Sequence, residues 1–170
     1  MQEYEKLEVY LKQLIDWEPL EGVTIANTDN LMVDALTNYK YSIAKRYGIS
    51  FCAKLQVPTS LPFEDADLCV VLGNTLDNAI EACLRGNVSN PYIDLKIKYD
   101  AGNLVAIVEN SYDGKIKKSH HGKILTRKEQ TKNHGVGIDS IKRVVEKYHG
   151  DFYVESDDSR FWLKFILYSD

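Results

Sequence analysis

The stretch that decides the fold reads Leu72-Gly73-Asn74-Thr75-Leu76-Asp77-Asn78-Ala79-Ile80-Glu81-Ala82-Cys83. Its apolar residues recur at helical spacing and predict an amphipathic helix, with a core-facing stripe of Leu72, Leu76, Ala79, Ile80 and Cys83. The opposite side carries Asn74, Asn78, Glu81 and Arg85, with Asp77 at its margin. Each mid-helix asparagine costs about 0.5 kcal/mol relative to alanine. Two carboxamides one turn apart therefore indicate a polar ligand above this helix.

Size and composition indicate one domain, with or without an appendage. The chain has 170 residues, 44% of them hydrophobic, which is enough to bury a core. The longest apolar run, residues 68–72, is too short to cross a bilayer, and no secretory signal is visible. We therefore expect a cytoplasmic chain that is not itself inserted in a membrane. Cys52, Cys69 and Cys83 lie in apolar segments without metal-ligand spacing, which predicts buried, reduced thiols.

The net charge of −4 conceals one strongly basic segment. Residues 115–134 hold seven lysines and arginines against Glu129, so this segment carries +6 and the rest of the chain −10. A nucleic-acid-binding domain would be basic over a whole face, so the overall acidity argues against nucleic acid as a partner. A short cationic segment fits a compact anion, such as the phosphates of one nucleotide. A solvated surface loop is the alternative reading.

Periodicity and turn signals predict an alternation of helices and hairpins. Asn27, Thr28 and Asp29 are cap candidates for a helix that ends before Gly48. The order predicts an α/β (α+β) two-layer sandwich, in which helices cover one face of a mixed, mostly antiparallel sheet. The predicted elements are a helix at 3–17, a helix ending near 47, a strand at 49–57, a helix from about 63, a hairpin of 93–99 and 104–108, a long lid at 115–134, a helix from 135 to 149, and a hairpin of 152–155 and 161–167.

Three pieces of this pattern can meet around one ligand. The amide oxygens of the asparagine helix suit Mg²⁺ that keeps most of its waters and is otherwise held by phosphates. Residues 108–114 end a strand in small and polar side chains that can grip the edge of a base. Gly135 and Gly137 open a helix, where missing side chains let backbone N–H groups approach an anion. Each signal alone also fits an ordinary turn or helix start.

In this order and spacing the three pieces resemble the nucleotide site of the GHKL ATPases. That superfamily groups gyrase, the large heat-shock chaperone, MutL and the histidine kinases. The runs at 72–82, 109–114, 125–128 and 134–138 are similar to the quorum-sensing branch of the sensor histidine kinases, the membrane receptors for secreted peptides. The resemblance extends from about Thr24 to the end of the chain and implies the Bergerat fold of the histidine kinase ATPase domain.

The resemblance implies a role for each matching residue. Asn78 would coordinate Mg²⁺ that bridges the ATP phosphates, and Asn74, the one candidate for a catalytic residue, would line the phosphate side. Asn110 stands where most of the superfamily has the aspartate that receives the adenine amino group. The other implied ATP-binding residues are Ser111, Asp113, Gly114, Arg127, Lys128, Lys132, Gly135, Val136, Gly137 and Ile138.

The residues that correspond to the family's adenine-binding motif, 110–114, are called the adenine box. Two of them depart from the family pattern. Tyr112 replaces its first glycine, and Asn110 replaces its acid. An amide oxygen still accepts from the adenine amine, but it makes a weaker hydrogen bond than a carboxylate does. We therefore predict weak ATP binding, in the sub-millimolar range.

A sensor histidine kinase also needs a phosphoacceptor histidine on a dimerising helix. The four histidines lie in or beside the lid or at the end of a helix: His120, His121, His134 and His149. The resemblance thus implies that residues 1–22 are a helical remnant or linker from an upstream dimerisation and phosphoacceptor region, and that 23–170 are the ATP-binding catalytic domain. This domain would present Mg·ATP to a histidine on that separate domain. The whole protein would be a membrane-anchored homodimer that serves a response regulator.

Three other readings remain open. A degenerate GHKL domain would act as a non-catalytic partner-binding module, and another GHKL enzyme would phosphorylate serine on a separate protein. A dinucleotide oxidoreductase is disfavoured, because no strand signal precedes Gly135 and position 140 is not a glycine.

Overall fold

The computed structural model describes residues 24–85, 87–115, 117–118, 124–125 and 136–169. The helix predicted at 3–17 and the domain boundary predicted near residue 22 lie outside this part of the chain. No helix among the described residues is long and apolar enough to cross a membrane. The elements are α1 (Leu31–Arg46), β1 (Ser50–Gln56), α2 (Asp65–Arg85), β2 (Tyr92–Asp100), β3 (Asn103–Ser111), β4 (Lys117–Lys118), β5 (Ile124–Leu125), α3 (Val136–Lys147), β6 (Asp151–Ser156) and β7 (Arg160–Tyr168).

Five strands form one sheet in the order β1-β2-β3-β7-β6. β1 runs parallel to β2, because α2 crosses between them, whereas the other neighbours are antiparallel. The turn between β2 and β3 uses positive φ at Ala101 and Gly102, which brings the two strands back onto each other. This topology confirms the predicted mixed, mostly antiparallel sheet.

The core lies between one face of this sheet and the helices. Along β3 the buried residues alternate, so that Leu104, Ala106 and Val108 face the helices. The predicted apolar stripe of α2 is confirmed, because none of its members is more than 5% exposed: Leu72, Leu76, Ala79, Ile80 and Cys83. The hydrophobic pattern of residues 72–83 thus predicts correctly which side of α2 faces the sheet.

The first described helix is capped by a neighbour of the predicted cap residues. Asn30 is the N-cap, and its Oδ1 accepts a hydrogen bond from the amide of Val33 at 3.1 Å. The hydroxyl of Thr28 instead lies 2.7 Å from Oδ1 of Asp34 in the first turn. Gly48 has φ +69, which confirms the glycine predicted to close this helix.

Two further predictions need correction. Cys52 is exposed, because the alternation of β1 buries Phe51 and turns the next side chain to solvent, so buried thiols are found only at Cys69 and Cys83. No strand was predicted in the segment 115–134, but β4 and β5 pair within it as antiparallel strands.

The third helix is fixed to α2 near its carboxyl end. The hydroxyl of Tyr148 donates to Oδ2 of Asp67 at 2.7 Å and accepts the amide of Glu64 at 3.0 Å. Lys147 forms ion pairs with the carboxylates of Asp67 at 2.6 Å and Glu64 at 2.9 Å. These contacts hold the end of α3 beside the beginning of α2, and they leave the amino end of α3 beside the middle of α2.

Candidate nucleotide-binding site

Two asparagines of α2 lie beside the first turn of α3. A Cβ placed on Gly137 would be 3.5 Å from Oδ1 of Asn78 and 3.6 Å from Oδ1 of Asn74. A side chain there would be in ordinary van der Waals contact with both amides, and glycine lets the backbone of α3 come this close to them. The structure therefore brings together the asparagine helix and the first turn of α3, which are far apart in the sequence.

Hydrogen-bond donors from the two helices converge at this place. Nδ2 of Asn78 is buried and has no hydrogen-bond partner among the described residues. Such an unpaired buried donor costs about 1–3 kcal/mol, and a bound acceptor would remove that cost. The first N–H groups of α3 also lack intrahelical acceptors and lie at the positive end of the helix dipole. This arrangement suits an anion.

Asn74 differs from Asn78 because its amide already has a partner. Its Nδ2 donates to the carbonyl of Val70 one turn earlier, at 2.7 Å. The bond orients the amide so that its oxygen faces Gly137. Asn74 can therefore offer an acceptor to the site, while Asn78 offers an unpaired donor.

The rest of the polar stripe makes structural contacts. Asp77 pairs with Lys40 of α1 at 2.5 Å, and that lysine side chain is only 3% exposed. Burial lowers the pKa of Lys40, and the nearby Asp77 carboxylate partly offsets this effect. Glu81 and Arg85 form an exposed ion pair at 2.6 Å. On the polar side of α2, the two asparagines thus face α3, whereas the other residues pair with α1 or with each other.

The other end of the site lies at the end of β3. Asn110 is 2% exposed, and its Nδ2 donates to the carbonyl of Ser111 at 3.0 Å. The hydroxyl of Ser111 accepts the amide of Tyr92 at 3.0 Å and lies 3.5 Å from Sγ of Cys83 on α2. Cys83 is five residues beyond Asn78, about 7.5 Å along the helix axis. The helix α2 therefore connects the two ends of the site.

The residues that follow β3 pack beside the turn between β6 and β7. Gly114 has φ +70, and a Cβ there would lie 2.6 Å from the carbonyl oxygen of Asp158. The side chain of Asp113 is half-buried, and its Oδ1 accepts the amide of Lys115 at 3.1 Å. Sequence reasoning assigned residues 157–158 only to a hairpin turn and missed this close approach.

Five of the site residues proposed from the sequence lie wholly or in part outside what the structure describes. Val136 is the first residue of α3, but its side chain lies outside what the structure describes. Ile138, two residues further on, is half-buried. The whole of the remaining four lies outside the described residues: Arg127, Lys128, Lys132 and Gly135.

The GHKL domain family matches residues 63–168, from just before α2 to the end of β7. This is well over half of the chain, so the chain belongs to the GHKL domain family. The match includes both asparagines, the end of β3 and the first turn of α3. The dinucleotide oxidoreductase reading is thereby excluded.

The chain is similar in sequence to the sensor histidine kinase DpiB of Escherichia coli strain K12. The two are 29% identical over 108 residues, which cover 61% of this chain and 19% of the relative. The chain therefore spans about a fifth of the length of the curated relative that it matches.

Solved histidine kinase structures share the fold. The catalytic domain of histidine kinase ThkA superposes with a TM-score of 0.58 at 17% identity, covering 81% of this chain and 92% of that domain. The mycobacterial sensor histidine kinase MprB gives 0.56 at 16% identity, covering 78% and 91%. The blue-light activated histidine kinase of Erythrobacter litoralis EL346 gives 0.64 at 13% identity, covering 95% and 47%. The predicted fold of a histidine kinase ATPase domain is confirmed.

Proposed function

We propose that this domain binds Mg·ATP and presents it for phosphoryl transfer to a histidine on a separate domain of a two-component sensor histidine kinase. The observation that carries the proposal is the unpaired, buried Nδ2 of Asn78 beside the first turn of α3. Membership of the GHKL family and similarity to DpiB support the same class. The finer assignment to the quorum-sensing, peptide-receptor branch rests on the sequence motifs alone.

The phosphates would bind where the asparagine amides and the amino end of α3 lie side by side. Asn78 would donate to a phosphate oxygen and Asn74 would line the same space. Backbone N–H groups at the start of α3 would bind the anion. The proposed phosphate-binding residues of the lid and of this helix start are Arg127, Lys128, Lys132, Gly135, Val136, Gly137 and Ile138.

The base would bind at the end of β3. Because Nδ2 of Asn110 is already bonded to the carbonyl of Ser111, its Oδ1 is the atom that can accept the adenine amine. Ser111, Asp113 and Gly114 would shape the surrounding box. Asn110 replaces the charged acceptor of the family pattern, which supports the prediction of sub-millimolar affinity.

The residues present fit a magnesium ion that is held mainly by phosphates. Within the described residues, no three His, Cys, Asp or Glu side chains lie together as a metal-binding group. Mg²⁺ commonly takes one or two protein oxygens and completes its shell with substrate phosphates and water. Oδ1 of Asn78 can be that protein oxygen, and a bound Mg²⁺ would neutralise charge on the phosphates.

The phosphoryl acceptor would come from another domain. His149 follows α3 at its carboxyl end, and a 12-residue helix is about 18 Å long. His149 is therefore far from Gly137 and the proposed phosphates. The other three histidines lie outside the described residues. We infer that residues 1–22 lead to an upstream dimerisation and phosphoacceptor domain of a membrane-anchored homodimer, and that a response regulator takes the phosphoryl group from that domain.

The proposal is tested by calorimetry of Mg·ATP with the wild-type chain and with Asn78→Leu. We expect sub-millimolar binding to the wild type and a loss of about tenfold or more in the variant, because a donor to phosphate disappears. The melting temperature should stay equal or rise, since an unpaired buried amide is removed. Glu81→Gln, on the same helix but within an exposed ion pair, is the matched control. Equal ATP affinity of Asn78→Leu and wild type would contradict the proposal.

A degenerate GHKL module that binds a partner but not ATP is the second candidate. The observation that favours it is the buried Tyr112 at the place of a family glycine. Thermal unfolding with and without millimolar Mg·ATP separates the two. A rise in melting temperature supports the kinase domain, and no shift supports the module.

A further inference from the structure

Tyr112, one of the two residues that depart from the family pattern, connects the adenine box to the β6–β7 hairpin. Tyr112 is only 9% exposed although it follows the last residue of β3. Its hydroxyl donates to the carbonyl oxygen of Asp157, and its amide donates to the carbonyl of Ser159 at 2.9 Å. Its ring meets Phe161 edge-on, with centroids 6.1 Å apart. The side chain of Tyr112 thus makes two contacts with the β6–β7 hairpin, and its backbone makes a third.

The turn that receives Tyr112 is itself held in one conformation. Oδ1 of Asp157 accepts the amides of Ser159 and Arg160 at 2.9 and 2.8 Å. The guanidinium of Arg160 pairs with Oδ2 of the same carboxylate at 2.8 Å and stacks over Trp162 at 4.9 Å. The indole N–H of Trp162 donates to Glu109, the neighbour of Asn110 in β3. The turn is therefore a preformed support that is tied back to the strand of the base-binding residues.

Gly114 adds a second contact to the same support. The 2.6 Å between its would-be Cβ and the carbonyl of Asp158 means that the two backbones touch. Tyr112 and Gly114 thus both rest on the turn, on either side of Asp113. The path of the chain from Asn110 toward the basic segment is set by contacts outside the proposed nucleotide space.

We propose that Tyr112 is a positioning residue for the base end of the site: its hydroxyl bond to Asp157 holds residues 110–114 in the conformation that receives the nucleotide base. The role rests on the proposed nucleotide binding. It concerns the base and not the phosphates, because the asparagines and Gly137 lie on other elements.

The test compares Tyr112→Phe with wild type and with Tyr168→Phe. The second variant removes a tyrosine hydroxyl bond, to Asp151, at the far end of the same β6–β7 hairpin. Calorimetry measures Mg·ATP and Mg·tripolyphosphate, which carries phosphates but no base. We expect Tyr112→Phe to weaken ATP binding about two- to tenfold, the loss typical of one hydrogen bond, and to leave tripolyphosphate affinity unchanged. Tyr168→Phe should change neither.

A second measurement follows hydrogen exchange in the nucleotide-free protein. The amide of Tyr112, bonded to Ser159, should exchange faster in Tyr112→Phe than in the wild type and in Tyr168→Phe. Unchanged exchange, unchanged ATP affinity, or an equal loss for ATP and tripolyphosphate would overturn the positioning role. Failure of the wild type to bind ATP would instead overturn the proposed function, and the positioning role with it.

Discussion

The two ends of the candidate site differ in how completely their polar groups are bonded. At the phosphate end, the buried Nδ2 of Asn78 has no partner among the described residues and lies beside Gly137, which has no side chain. At the base end, the amide of Asn110 is bonded to Ser111, and Tyr112 is bonded to the β6–β7 turn. The first end needs a ligand to complete its hydrogen bonds, whereas the second is preformed.

This difference indicates how binding free energy would be distributed. An unpaired buried donor gains a full hydrogen bond when an anion arrives, so the phosphate end should contribute most of the affinity. A preformed base end loses little conformational entropy on binding and should contribute selectivity for the base. Variants at the two ends should therefore give different combinations of stability and affinity.

The largest effect is expected for Gly137→Ala at the phosphate end. The new methyl would lie in ordinary van der Waals contact with both asparagine amides, at 3.5 and 3.6 Å, so the fold should tolerate it. Helix propensity should raise stability by about 0.5–1 kcal/mol. The methyl would cover part of the asparagine amides that are proposed to bind phosphate, and we expect Mg·ATP affinity, measured by calorimetry, to fall about 10- to 100-fold.

Gly48→Ala is the matched control for that variant. Nothing lies within 4 Å of its would-be Cβ, but its φ of +69 is unfavourable for alanine. Stability should fall by about 1–2 kcal/mol while ATP affinity stays unchanged. If Gly137→Ala behaved like Gly48→Ala, the phosphate end would not be a binding site.

A smaller effect is expected for Asn110→Asp at the base end. The carboxylate accepts more strongly from the adenine amine, so ATP affinity should be equal or higher. The variant also loses the donation to Ser111 and places a carboxylate at a 2% exposed position, so stability should fall by about 1–3 kcal/mol. Calorimetry and denaturant unfolding measure the two quantities. A total loss of ATP binding with the fold intact would refute the role of Asn110.

The smallest effect is expected for the thiol next to the base end. Burial raises the pKa of Cys83, with smaller opposing contributions from its hydrogen bonds to Ser111 and Tyr92, and burial also raises the pKa of Cys69 to about 11. Iodoacetamide at neutral pH should therefore react first with the exposed Cys52. Because the base end is preformed, saturating Mg·ATP should change the Cys83 rate by no more than about twofold. Strong protection by ATP would show that the ligand orders this end.

Local pattern was sufficient to predict much of the fold. The apolar stripe of α2 and the alternation in β2 and β3 are repeated over enough residues to identify each element and its buried face. The cap of α1 was misplaced by one residue, because Thr28, Asp29 and Asn30 are chemically similar and only the bond of Asn30 to Val33 selects among them. The exposure of Cys52 depends on which face of β1 meets the helices, which its composition does not reveal.

The sequence by itself determined the class of this protein, because the asparagine helix, the strand-end box and the Gly-x-Gly helix start occur in one order and spacing. Only the tertiary structure distinguished the polar residues of α2 from one another. Asp77 is paired with Lys40 of α1, whereas Nδ2 of Asn78 is buried without a partner in the described part of the chain. Whether a polar atom has a partner depends on which distant segment packs beside it, and a helical pattern carries no information about that neighbour.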